Sequence, residues 1–193
     1  MKHLVVYAHP YSKSFGKAIV ETIEKEILSK GSEVRVRDLN ELDFDSVLKG
    51  SDLLNLQSGN YAADIVLEQE HIKWADIITF VYPVWWAGMP AILKGYVDRV
   101  FANGFAFTYG ENGPIGLLKG KRALLFSTTG FPSNIYEQIG MHKSMQQTSD
   151  EAIFNFCGIE VIQHLFFGGI PTSSENDREE YLNEVAKVIQ ENC

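Results

Sequence analysis

Five short apolar runs, each separated from the next by a segment with helical spacing, leave this chain few folds to choose from. The runs are Leu4 to Ala8, Val34 with Val36, Ile77 to Val81, Arg122 to Ser127 and Val161 to Phe167. Between them, Phe15, Ala18, Ile19, Ile23 and Ile27 recur at three- and four-residue intervals, with Gly31 as a stop. A short helix from Asp64 (Ile65, Gln69, Ile72) precedes the third strand, and Leu93, Val97, Val100 and Phe101 form a stripe after Pro90 that ends at Gly104. Met145, Ser149, Ala152, Ile153 and Phe156 pattern a further helix closed by Gly158. Ser174 with Asp177 resembles a capping box opening the last helix, whose inner residues are Leu182, Val185 and Ile189. Residues 39 to about 63 are irregular and polar, and Phe105 to Pro114 reads as a hairpin-like excursion.

Strand–helix alternation of this kind predicts a doubly wound α/β protein, a five-stranded parallel sheet with right-handed crossovers and helices on both faces. The first strand is the most apolar and is expected to be central. The second, Glu33 to Arg37, alternates charge with Val and is expected at an edge. The strand order is then 2-1-3-4-5, with the ligand crevice between strands 1 and 3. No repeat or linker interrupts the chain, so residues 1–193 read as one domain.

A net charge of -8 argues against a nucleic-acid partner, which needs clustered Lys and Arg. No apolar stretch approaches the roughly 20 residues of a bilayer span, and the opening Met1 to Val6 run is too short for a signal peptide. The two cysteines, Cys157 and Cys193, form neither a disulfide framework nor metal spacing, and Cys157 reads as a small core residue. A cytoplasmic protein is expected, with no metal site and no membrane insertion.

In the predicted layout three loops meet at one rim. The loop after strand 1 carries His9, Ser12, Lys13 and Ser14 just before a helix. Free N–H groups at that helix start suit a phosphate, and simple N-capping by Ser12 or Ser14 is the plainer alternative. The loop after strand 3 is Pro83-Val84-Trp85-Trp86-Ala87-Gly88, in which the adjacent tryptophans serve either as core or as a platform for a flat aromatic ligand. The loop after strand 4, Thr128-Thr129-Gly130, exposes backbone donors. Neither Gly-x4-Gly-Lys-Ser/Thr nor Gly-x-Gly-x-x-Gly occurs, which disfavours a nucleoside triphosphatase and a Rossmann dehydrogenase. Gly-x-Ser-x-Gly is likewise absent, so a nucleophile elbow is lacking. Tyr136 and His142 lie further on; a lone His in a loop is either a surface residue or one placed for proton work.

An ordered set of motifs resembles the flavodoxin-like NAD(P)H:quinone oxidoreductases, including their short bacterial members. The set comprises Ala8-His9-Pro10 with Ser14-Phe15, Asp64-Ile65-x-x-Glu68-Gln69, and Pro83-x-x-Trp86-x-Gly88-x-Pro90-Ala91-Ile92-Leu93-Lys94-Gly95. It continues with Asp98-Arg99-Val100-Phe101, Gly104 to Tyr109, Thr128-Thr129-Gly130 and Tyr136-x5-His142. The resemblance implies that His9, Ser14 and Phe15 hold a flavin's phosphate and ribityl region. Pro83, Val84, Trp85, Trp86 and Ala87 are implied along the isoalloxazine, with Thr128, Thr129 and Gly130 on its pyrimidine side. Tyr136 and His142 match the pair near the N1–C2=O2 edge, where negative charge gathers on reduction. Phe107 and Tyr109 match residues that close the substrate pocket from a partner subunit, which implies a homodimer.

The implied reaction moves two electrons from NAD(P)H through flavin to a quinone or similar aromatic acceptor, in ping-pong fashion. The missing carboxyl-terminal extension of the animal enzymes favours FMN, with FAD as the alternative if the 39–63 segment shelters an adenosine. Tyr109 to Pro114 also resembles FMN-dependent azoreductases. Two departures stand out: Phe131-Pro132 follows Thr128-Thr129-Gly130, and Trp85 stands where a polar residue is frequent. The competing reading is a flavodoxin-like electron carrier or regulatory subunit, such as the ancillary flavoproteins of potassium-efflux systems.

Overall fold

The strands form where the apolar runs lie, and the helices bury their stripes against them. The computed structural model describes residues 1–58 and 60–193, leaving out the side chains of residues 56–58. Its main sheet contains β1 (Lys2–Tyr7), β2 (Glu33–Asp38), β3 (Ile77–Pro83), β6 (Arg122–Thr128) and β7 (Glu160–Phe167). The order is β2-β1-β3-β6-β7, all parallel, which is the expected 2-1-3-4-5 once the inserted hairpin β4 (Phe107–Gly110) and β5 (Gly113–Gly116) is set aside. β2 is an edge, as its charges require. β1 is interior, but the middle place belongs to β3, which is buried at every residue.

Helices cover both faces. On one, α1 (Phe15–Ser29) and α7 (Glu175–Asn192) bury Ile19, Ile23, Val185 and Ile189 against Val5, Val81, Leu124 and Phe126. On the other, α3 (Ala63–Trp74) and α4 (Ala91–Val100) bury Ile72, Leu93, Tyr96 and Val100 against Leu4, Ile78, Phe80 and Leu125. Each such side chain contributes roughly 1.5–3 kcal/mol on full burial. The Ser174–Asp177 capping box is formed in both directions.

Two segments differ from the sequence reading. The stretch from 39 to 63 contains a helix, α2 (Gly50–Ser58), with Gly59 outside the described residues. Its weak pattern hid it, because α2 is held by charge: the buried Asp52 accepts from Arg99 Nε of α4 at 3.0 Å. Arg99 also reaches Asp64 and the Asp45 carbonyl, each at 2.6 Å. The second difference lies between α5 (Ser133–Gln138) and β7. Here α6 (Met141–Gln146) widens into a π-helical stretch, Gln147–Asn155. Wider turns change which residues face inward. Met145, Ser149, Asp150 and Phe154 are buried there, whereas Phe156 is exposed.

Candidate active site

The loops after β1, β3 and β6 meet at the carboxyl end of the sheet, beside the point where the order reverses between β1 and β3. They enclose a cavity of about 480 Å³ lined by His9, Val84, Trp85, Trp86, Thr128, Thr129, Gly130, Phe131 and Tyr136. Hydrogen bonds fix its floor. Val84 N donates to Thr128 O at 2.8 Å, Thr129 N to Phe167 O at 2.9 Å, and Ala8 N to Val81 O at 3.0 Å. Ile170 and Pro171 complete the lining from the loop after β7, a contribution that no motif announced.

The tryptophans sit on a reverse turn closed in both directions. Trp85 N donates to Gly88 O and Gly88 N to Trp85 O, both at 3.1 Å. The two central residues, Trp86 (φ 51°) and Ala87 (φ 57°), are left-handed. That is a type I′ geometry, which favours Asn and Gly and costs a side-chain-bearing residue about 1–2 kcal/mol. In return Trp86 is 103% exposed and Trp85 46%. Neither ring is core. Trp85 meets the His9 ring edge-on at 6.1 Å.

Ser14 is the N-cap of α1, accepting from Lys17 N at 3.2 Å and bonded to the Tyr7 hydroxyl at 2.7 Å. Capping leaves the N–H groups of the first helical residues free to bind an anion. His9 Nδ1 accepts from Tyr11 N at 3.0 Å, and burial keeps the ring's pKa below the usual range. Nε2 is then the N–H donor of this neutral ring.

Tyr136 and His142 meet edge-on at 5.9 Å, Tyr136 stacks on Phe131 at 5.7 Å, and His142 stacks on Phe166 at 4.3 Å. Nε2 of His142 is buried without a hydrogen-bond partner. Burial lowers the pKa of His142, Glu137 raises it and His164 lowers it further.

Other implied residues lie off the cavity. Pro83 is buried at the end of β3, and Ala87 shapes the turn without lining the cavity. Phe15 packs on Phe167 and Tyr181, so within this chain its ring serves the α7 face. Phe107 packs on Phe156, and Tyr109 is 67% exposed on the hairpin. The chain does not bring either to the rim.

Behind the rim lies a buried polar cluster that no motif marks. His164 Nδ1 is 2.9 Å from Asp150 Oδ1, and its Nε2 is 2.8 Å from Ser127 Oγ. Ser149 Oγ donates to Asp150 Oδ1 at 2.6 Å, and Tyr82 OH lies 3.5 Å from His164 Nε2. The trio has the order of a hydrolase triad, yet Ser127 is wholly buried and no substrate reaches its hydroxyl.

A parallel sheet of this order, with its cavity at the switch point, defines a doubly wound α/β protein of the flavodoxin type. The chain belongs to the flavodoxin-like-fold family, whose model matches residues 1–191. It is similar to an uncharacterized NAD(P)H oxidoreductase of Haemophilus influenzae, 40% identical over 98% of this chain and 95% of that one. It is 32% identical to NAD(P)H dehydrogenase [quinone] 1 of Cavia porcellus, over 93% of this chain and 72% of the relative. Among solved structures, an FMN-dependent NADH-azoreductase of Bacillus anthracis, in complex with FMN, shares the fold with a TM-score of 0.77 at 20% identity. That match covers 98% of each chain. The protein is an oxidoreductase of the NAD(P)H dehydrogenase (quinone) type. Among the described residues no helix is long and apolar enough to cross a membrane.

Proposed function

We propose that the rim cavity binds a flavin, FMN rather than FAD, and that the protein uses it to pass two electrons from NAD(P)H to a quinone-like aromatic acceptor. The observation that carries this reading is the cavity itself, about 480 Å³ at the switch point, walled by two exposed tryptophan rings. The donor set fits such a group. An apolar wall faces the polar Thr128-Thr129-Gly130 loop, and a Cβ added at Gly130 would meet nothing within 4 Å. His142 does not itself line the cavity; it lies behind Tyr136, which does, with its Nε2 buried and unpaired. Bound there, a flavin supplies a ring that takes a hydride from the nicotinamide and returns two electrons to the acceptor in a second half-reaction. The net change is NAD(P)H plus a proton plus quinone to NAD(P)⁺ plus hydroquinone.

The chain's own residues do the rest. The start of α1, with the Ser14 hydroxyl, holds the phosphate. Trp85, Trp86 and Val84 keep water from the ring's face, and backbone donors of the Thr128 loop orient its polar edge. A preorganised donor aimed at developing negative charge is worth about 3–4 kcal/mol in such sites. His142, kept neutral by burial, takes up a proton when negative charge appears beside it and later returns it.

FMN is favoured because α2, in the segment open to an adenosine, is tied to α4 through Asp52 and Arg99. The distance of Phe107 and Tyr109 from the cavity within one chain supports their supply by a second copy, as a homodimer. A pair such as Tyr136 and His142 has a use in hydride transfer and none in a simple electron carrier. Fluorescence titration of the purified protein with FMN and FAD tests the reading: FMN binds with the lower Kd, and His142→Ala slows reduction by NAD(P)H without releasing flavin. Absence of binding by either flavin refutes it.

A further inference from the structure

The stack that holds His142 does not end at Phe166. On the opposite face of that ring lies His164, with centroids 4.0 Å apart and planes 25° apart, while His142 lies 4.3 Å away at 13°. His164 and Phe166 are two apart on β7, so the strand's period places both on one face. His164 has little freedom. Asp150 holds Nδ1, Ser127 holds Nε2, and Ser149 fixes the Asp150 carboxylate from the side. All four residues are buried, and they come from β6, β7 and the π-helical stretch. The hydrophobic Phe166 ring thus separates two imidazoles, one of them paired with a carboxylate.

We propose that His164, anchored by Asp150, is a positioning residue for the site. It fixes the orientation of the His142 ring through Phe166. This rests on the reading of His142 as the residue that moves a proton at the cavity. The other charged or titratable groups facing His142 are Tyr136 and Glu137 from α5, with Lys143 exposed on its own helix.

The test is NMR of the histidine ring signals of the protein without added flavin. The chain has five histidines, and His142→Ala identifies the signal that belongs to that ring. Asp150→Asn keeps the size of the side chain but replaces the carboxylate that holds His164 Nδ1, and His164→Gln removes the ring that stacks on Phe166. In both variants the His142 ring signals shift and broaden, as the ring loses its fixed place in the stack. A purely structural role for the cluster lowers the melting temperature of both variants and leaves the His142 signals in place, and that result overturns the proposal. In flavin-loaded protein the same substitutions slow reduction by NAD(P)H several-fold without releasing flavin. Unchanged reduction kinetics in His142→Ala refute the proton role of His142 separately, since the NMR signals are read without turnover.

Discussion

Replacing Ala87 by Gly should stabilise this protein, although it removes a side chain. Ala87 occupies the second central position of the Trp85–Gly88 turn with φ 57°. A left-handed residue with a Cβ carries about 1–2 kcal/mol of steric cost. Glycine removes that cost but adds roughly 0.4–1 kcal/mol of chain freedom to the unfolded state. The difference leaves the variant about 1 kcal/mol more stable, which for a chain of this size corresponds to a rise in Tm of roughly 2–4 °C. The assay is urea and thermal unfolding without flavin, since a ligand bound only by the native state masks the effect. Ala87→Val supplies the opposite arm: a β-branched residue tolerates this region worst, and stability falls by more than the glycine variant gains. The left-handed turn also holds the exposed Trp86 ring in place, so Ala87→Gly should weaken FMN binding several-fold while raising Tm. Equal or lower stability of the glycine variant would show that the turn does not hold this conformation, and the account of the strained rim would fall with it.

Three other outcomes follow from burial. His3, 1% exposed and bonded through Nε2 to Thr79 Oγ1 at 2.6 Å, has its pKa lowered to about 4 by burial and then by Arg122. The unfolded chain takes up that proton near pH 6.5 and the folded one near pH 4, so stability falls as pH drops through this window, by about 3 kcal/mol, and no further below it. Urea midpoints against pH check this, and His3→Asn flattens the slope. Arg99→Met leaves Asp52, 5% exposed, without its partner and should cost about 3–5 kcal/mol in chemical unfolding. Adding Asp52→Leu to that variant recovers much of the loss. Gly95→Ala places a Cβ 1.9 Å from the Ser46 carbonyl oxygen and should lower Tm by several degrees, roughly 2–4 °C for each kcal/mol lost.

The sheet was legible because five apolar runs and four glycine or capping signals agree, and burial on both faces leaves little choice of register. The convergence of three rim loops follows from the order alone, and His9, Val84, Trp85, Trp86, Thr128, Thr129, Gly130 and Tyr136 meet as that order requires. Helix α2 escaped because its anchor is a charge pair with Arg99, forty-seven residues away, and periodicity carries no trace of it. The His164 cluster escaped for the same reason. Ser127, Asp150 and His164 look like ordinary strand and helix residues until the fold joins them. The π-helical widening of 147–155 shifted the buried set from Phe156 to Phe154, and an assumed period of 3.6 cannot anticipate that. Phe15 carries the opposite lesson. A motif position implied near the flavin holds a ring that packs on Phe167 and Tyr181, so only its backbone is placed at the start of α1 beside the rim.

The most direct test of the proposed chemistry separates the two half-reactions. Protein loaded with FMN is mixed anaerobically with NADH or NADPH in a stopped-flow instrument, with no acceptor present, and the yellow absorbance is followed. A quinone is then added in a second mix. The account predicts single-turnover bleaching by at least one nicotinamide, followed by full recovery of the colour on addition of the quinone. Protein that retains no flavin, or bound flavin that neither nicotinamide bleaches, would contradict it.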